Sequence, residues 1–191
     1  MEENKLIEGC VHGEPWAQKM LYESYAPAMM SVCHRYVCNR ETAKDLMHDG
    51  FVKLFTKIHL YSGTGSFNGW MKRIFVNTAL EHLRQNDVLR YSVDVEEMDV
   101  QIENADISLF ERLSTNDLLA CIARLPVRCR AVFNLHAIEG FKHVEIAGEL
   151  GISESTSRSN YLRARRLLQK MVTDELIVEN EEQQKYKHER Q

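Results

Sequence analysis

An all-α fold, built as two small helical domains joined by an acidic linker, is predicted by three features of this 191-residue sequence. Proline and glycine are scarce, at 3 and 9 residues, which disfavours turn-dense β architectures and favours long helices. Apolar side chains recur at steps of three and four, the spacing of one helix face. Charge is segregated along the chain. Residues 1–90 carry a net charge of +1, 91–117 of −7, 118–172 of +5 and 173–191 of −3. The total of −4 argues against a uniformly basic nucleic-acid binder, but it averages over a basic block and two acidic ones. With 44% hydrophobic and 27% charged residues the composition is that of an ordinary globular protein. No apolar run approaches the ~20 residues of a bilayer span. The start of the chain, Met1-Glu2-Glu3-Asn4-Lys5, has no apolar segment of the secretory kind, so a cytoplasmic protein is expected.

The first domain is predicted over residues 1–90. Trp16, Met20, Leu21, Tyr25, Ala28, Met29, Val32 and Tyr36 form the apolar face of a helix from Pro15 to Val37, with Pro27 inside it. A second helix, from about Glu41 to Ile58, buries Met47, Phe51, Leu54, Phe55 and Ile58. It leaves Asp45, His48, Asp49, Val52 and Lys53 outside, with Asp49 and Lys53 spaced for an ion pair. The run Tyr61-Ser62-Gly63-Thr64-Gly65-Ser66 reads as a flexible loop. A third helix follows to about Gln85, with Trp70 and Ile74 on its apolar side and Lys72, Arg73, Asn77, Arg84 and Gln85 on its others. Aromatic rings beside cations suit single-stranded nucleic acid, whose bases stack while its phosphates are neutralised. Helical spacing alone places Trp70 in the core, and that reading is favoured.

Residues 91–112, dense in carboxylates and without a helical stripe, are predicted to be a linker extended by self-repulsion. The second domain, over 113–172, holds the sharper pattern. Leu118–Leu125 is helical; Pro126 opens another helix and Gly140 ends it. A short helix over 143–150 buries Val144, Ile146, Ala147 and Leu150, and Gly151 closes it. Ile152 plugs the turn and Ser153 caps the next helix, expected to run to about Met171. Short helix, glycine turn and longer helix make a helix-turn-helix, whose second helix enters a DNA major groove. Its expected outward positions are Ser155, Ser157, Arg158, Ser159, Leu162 and Arg163, with Arg165, Arg166 and Lys170 extending a basic face. The acidic tail, 173–191, is expected to be disordered.

Five cysteines, Cys10, Cys33, Cys38, Cys121 and Cys129, are read as reduced and mostly buried. Cys33, His34 and Cys38 lack the second ligand pair of a zinc site. His34, His48, His136 and His143 are read as isolated side chains. No phosphate-cradling glycine loop, zinc-protease motif or nucleophile triad is present, so no enzyme and no cofactor is predicted.

Four strings in one order resemble bacterial RNA polymerase sigma factors of the extracytoplasmic-function group. AKDLMHDGFVKLF resembles the helix that binds polymerase, and FNGWMKRIFVNTALEHLRQ the helix after it. LPVRCRAVFNLHAIEGF and EIAGELGISESTSRSNYLRARRLL resemble the carboxy-terminal DNA-binding region. The resemblance spans roughly residues 5–90 and 113–172. It implies that Asp45, Leu46, His48 and Asp49 dock on the clamp helices of the polymerase β′ subunit. Trp70, Lys72, Arg73, Asn77 and Arg84 would recognise and open the minus-ten element. Thr156, Arg158, Ser159, Leu162, Arg163 and Arg165 would hold the minus-thirty-five element. The implied partners are polymerase core, through β′ clamp and β flap, promoter DNA and an anti-sigma factor, with a monomer when free. The sequence departs from the family pattern at His48, Gly50, Glu81, Ser157 and Asn160. A stand-alone helix-turn-helix regulator is the alternative.

Overall fold

The computed structural model describes residues 3–85 and 115–188, and these contain helices and no strand. In order, the α-helices are α1 (Glu3–Val11), α2 (Pro15–Val37), α3 (Arg40–Lys57), α4 (Phe67–Gln85), α5 (Thr115–Ala123), α6 (Val127–Phe133), α7 (His143–Leu150) and α8 (Glu154–His188). A short 3-10 turn, Ile58–Leu60, follows α3, and a π-helical turn, Asn134–Ile138, continues α6. The chain divides into two compact units, Met1–Arg90 and Tyr91–Gln191. The expected linker, 91–112, lies outside the described residues. No helix among the described residues is long and apolar enough to cross a membrane.

In the first unit α2, α3 and α4 pack on one another and α1 packs on α2. Asn39 starts α3 by accepting the Thr42 N–H at 2.9 Å. Ser66 does the same for α4, accepting from Gly69 N at 3.3 Å. The core is Leu21, Met29, Val32 and Tyr36 from α2, Met47, Phe51 and Leu54 from α3, and Phe67, Met71, Phe75 and Leu80 from α4. Two expected faces shift. Trp16 is 48% exposed and Met20 is also outside, while Ala17 is fully buried. The cause is close helix approach: a Cβ on Gly9 would come within 2.7 Å of the Ala17 Cβ, so Ala17 sits under α1 while the Trp16 ring, 3.2 Å from the same point, lies at its edge. On α4 the core takes Met71, Phe75 and Val76, leaving Trp70 and Ile74 half-buried.

In the second unit Cys121, Ile122, Leu125 and Cys129 meet Ala164, Leu168 and Val172 of α8. Those last three recur every four residues and form a single stripe. Gly151, at φ 64°, ends α7, and its N–H bonds to the Ala147 carbonyl. Ser153 Oγ then accepts the Thr156 N–H at 3.0 Å and starts α8. Ile146 is the buried anchor of α7, whereas Val144, expected inside, is 60% exposed. Two residues turn a helix by about 200°, so Val144 points away from the side on which α7 packs against α8 and the π-helical turn. The helix begun at Ser153 does not stop near Met171 or give way to disorder at 173: it continues to His188. Glu, Gln and Lys are good helix formers, and extending an existing helix costs far less than nucleating one.

Candidate nucleic-acid and protein interfaces

On α3 the side chains Asp45, His48, Asp49 and Val52 stand on one exposed face. Leu46 does not join them. It is 5% exposed and belongs to the core, because it sits about 100° round the helix from Asp45. The Tyr22 hydroxyl of α2 lies 3.2 Å from His48 Nε2 and steadies the ring against that face. The expected Asp49–Lys53 pair is replaced by a bond between helices: Lys53 Nζ donates to Glu81 Oε2 of α4 at 2.7 Å. That hydrogen bond and the lysine charge hold the Glu81 carboxyl below its usual range. Asp45 and Asp49 thus form an acidic, outward-facing patch.

On α4 Trp70, Arg73, Asn77 and Arg84 fall on one face, while Lys72 lies nearly opposite and is half-buried. The structure therefore groups four of the five residues expected there. The Trp70 ring sits 5.4 Å from Tyr61 and 5.9 Å from Phe67, centroid to centroid, so it is neither core nor free of it. The preceding loop is held closed by its own bonds, Tyr61 Oη to the Gly65 carbonyl at 2.8 Å and Ser62 to Thr64 at 2.6 Å. An aromatic platform fixed at the start of a helix, with cations further along one face, can stack a base and hold its phosphates.

On α8 Arg158, Ser159, Leu162 and Arg165 are exposed, and Thr156 and Arg163 are half-exposed. Ser157, expected outside, is fully buried and lies 2.9 Å from His143 Nδ1. Asn160 is also buried: its side chain donates to the Thr156 carbonyl at 2.9 Å, and the Cys129 thiol donates to its Oδ1 at 3.5 Å. Both departures from the family pattern are thus interior contacts and not base-reading ones. Arg158 is pre-set by Glu154, one turn earlier. The guanidinium of Arg165 lies 6.0 Å over the Tyr161 ring. A capped helix with arginines and a hydroxyl outward on its first turns is equipped to contact base edges and phosphates.

Four of the cysteines, Cys10, Cys33, Cys121 and Cys129, are buried, and Cys38 is half-buried. Burial pushes the Cys33 thiol up to about 12 and that of Cys10 up to about 11, which keeps both protonated. Among the described residues no group of three metal-ligating side chains comes together.

Sequence reasoning missed two groupings. One is Arg130, whose guanidinium reaches back to α5. The other is the set His136, His143, Ser157 and Tyr161, whose members come from three elements and carry no shared spacing.

Comparison with known proteins identifies both units. Residues 21–88 match the Sigma-70 region 2 family and residues 115–168 match Sigma-70, region 4. The ECF RNA polymerase sigma factor SigE of Mycolicibacterium smegmatis is 28% identical over 151 residues, covering 78% of this chain and 58% of that protein. The RNA polymerase sigma-H factor of Pseudomonas aeruginosa is 26% identical over 179 residues, covering 88% of this chain and 93% of that protein. The sigma factor RpoE of Bartonella quintana, solved in complex with the anti-sigma factor NepR, has a similar fold: the TM-score is 0.51 at 20% identity, over 81% of this chain and 96% of that one.

Proposed function

Because the chain belongs to the extracytoplasmic-function group of RNA polymerase sigma factors, and so directs polymerase to promoters without being an enzyme, we propose how its two units divide that work. The first unit binds polymerase core through Asp45, His48 and Asp49 and opens the minus-ten element with Trp70, Arg73, Asn77 and Arg84. The second unit reads the minus-thirty-five element through Thr156, Arg158, Ser159, Leu162, Arg163 and Arg165. The observation that carries this reading is α8 itself. Its first turns, capped by Ser153, present arginines outward from the +5 segment of an otherwise acidic chain. The partners are polymerase core, through its β′ clamp and β flap, promoter DNA, and an anti-sigma factor such as the one bound to the Bartonella protein. The free protein is a cytoplasmic monomer.

The test is reconstitution. Added to core polymerase, the full chain is expected to give run-off transcription from promoters selected with the holoenzyme. The double variant Asp45→Arg/Asp49→Arg is expected to lose core binding, since carboxylates facing basic partners become repelling cations. Unchanged core affinity of that variant would remove the α3 face from the interface. Arg163→Ala is expected to weaken promoter binding by about 1–3 kcal/mol, the worth of one base contact. Equal affinity of wild type and variant on every selected promoter would take Arg163 off the reading surface.

A further inference from the structure

Four side chains from three elements meet behind the recognition helix. His136, in the π-helical turn, stacks on His143, the first residue of α7, with centroids 4.2 Å apart and planes inclined by 22°. Tyr161 of α8 stands edge-on to His136 at 4.6 Å and lies 5.7 Å from His143. His143 Nδ1 is 2.9 Å from the buried Ser157 hydroxyl of α8, and His136 Nδ1 is 2.8 Å from the Phe141 carbonyl. The two imidazoles therefore tie the connection between α6 and α7 to the helix that carries Arg158, Ser159 and Leu162.

A ring stacked this closely leaves His143 poorly solvated as a cation, so the packed arrangement favours its uncharged form. The groups facing His143 reinforce this. His136 from the π-helical turn and Arg158 from α8 disfavour a positive charge there, and Glu154 from α8 opposes them less strongly. The Arg165 guanidinium lies over Tyr161 on the far side of the same cluster. His143 also opens a helix, where the backbone dipole disfavours a cation. Desolvation, ahead of these charges, holds the imidazole below its ordinary value. Its contribution is therefore complete above the ordinary histidine value near 6.5 and falls away as the pH drops through the lowered one.

We infer that the His136–His143 stack is a proton-sensitive clamp: with His143 uncharged it seats α7 against the recognition helix, and on protonation of His143 it parts, so that binding to the minus-thirty-five element weakens. The inference rests on the reading of α8 as the helix that binds that element. Its sign is distinctive. A histidine that simply neighbours DNA phosphates gains its proton on binding, and affinity then rises as the pH falls.

The test measures affinity of the full chain for a selected minus-thirty-five duplex at constant salt between about pH 7.5 and about pH 5.5, the range in which histidine titrates. Wild type is expected to lose about five- to tenfold over that range, tenfold being the most that one histidine of ordinary value near 6.5 can contribute by about pH 5.5. His143→Asn keeps a polar atom near Ser157 but cannot charge, and is expected to lose less than about threefold. His136→Phe, which keeps a ring on His143 and leaves it titratable, serves as the second variant and is expected to lose nearly as much as wild type. Equal losses in wild type and His143→Asn, or affinity that holds or tightens on acidification, would overturn the clamp. Nuclear magnetic resonance of the full chain without DNA separates this from the reading it rests on. A His143 titration below the ordinary value that moves the α7 and α8 amides with it supports the clamp; a His143 titration that leaves those amides in place overturns it. A chain that binds no duplex at any pH while showing the amide-linked titration would sink the DNA-reading assignment and leave the clamp standing.

Discussion

Gly50→Ala is expected to destabilise the first unit by about 1–3 kcal/mol, the usual cost of forcing a methyl group into a filled core. Helix propensity alone argues the reverse, since alanine gains about 1 kcal/mol over glycine inside a helix. The structure decides between them. A Cβ at Gly50 would lie 2.5 Å from both Cδ1 and Cε1 of Phe75. That ring is fully buried and wedged edge-on against Phe51 at 5.0 Å, so it cannot swing aside. Urea unfolding followed by tryptophan fluorescence isolates the effect, because Trp16 and Trp70 both lie in the first unit. Gly148→Ala is the contrast. A Cβ there meets nothing within 4 Å, and the substitution is expected to be stabilising by up to about 1 kcal/mol, seen in whole-chain helical dichroism. Adding Phe75→Leu to Gly50→Ala should recover part of the loss. A Gly50→Ala protein as stable as wild type would show that α3 and α4 need no close approach.

Arg130→Ala is expected to cost the second unit about 3 kcal/mol. Arg130 is 7% exposed, and its Nη1 donates to the Ala123 carbonyl at 2.9 Å and the Leu125 carbonyl at 3.0 Å. These are carbonyls at and just beyond the end of α5, where a helix has no partners of its own. Truncation leaves buried acceptors unmet, at about 1–3 kcal/mol each. Arg130→Lys, with a charge but no planar fork, should recover only part. The tryptophan transition should stay in place while helical dichroism shows the earlier melting of the other unit. Coincident melting of both probes at the wild-type midpoint would refute the role given to Arg130.

Much of this was legible in the sequence because the signals were local. Helix α4 spans Phe67–Gln85 as its periodicity and the loop before it indicated, and Gly151 followed by Ser153 marked the break between α7 and α8. Exposed site residues on α3 and α8 followed from the same rotation. What escaped depended on the neighbour. Trp16 and Ala17 are adjacent in sequence, and only the proximity of Gly9 selects which one is buried. Val144 and Ser157 were misassigned because apolar or small side chains lie on more than one face, so spacing cannot choose among them. Lys53 found Glu81 across helices instead of Asp49 along its own. Arg130 escaped because its carbonyl partners lie at and beyond the end of the preceding helix, out of reach of any local pattern. His136 and His143, read singly, each looked unremarkable; their meeting depends on the π-helical turn between them.

Helix α8 carries the buried stripe Ala164, Leu168 and Val172 on the same rigid rod as Arg158, Ser159 and Leu162. The two sets are locked in phase. One residue inserted between Ser159 and Ala164 would leave the stripe seated and swing Arg158 and Ser159 about 100° around the axis. The outward side chains of this helix can therefore be exchanged one at a time, whereas a change of length between Ser159 and Ala164 turns all those before it at once.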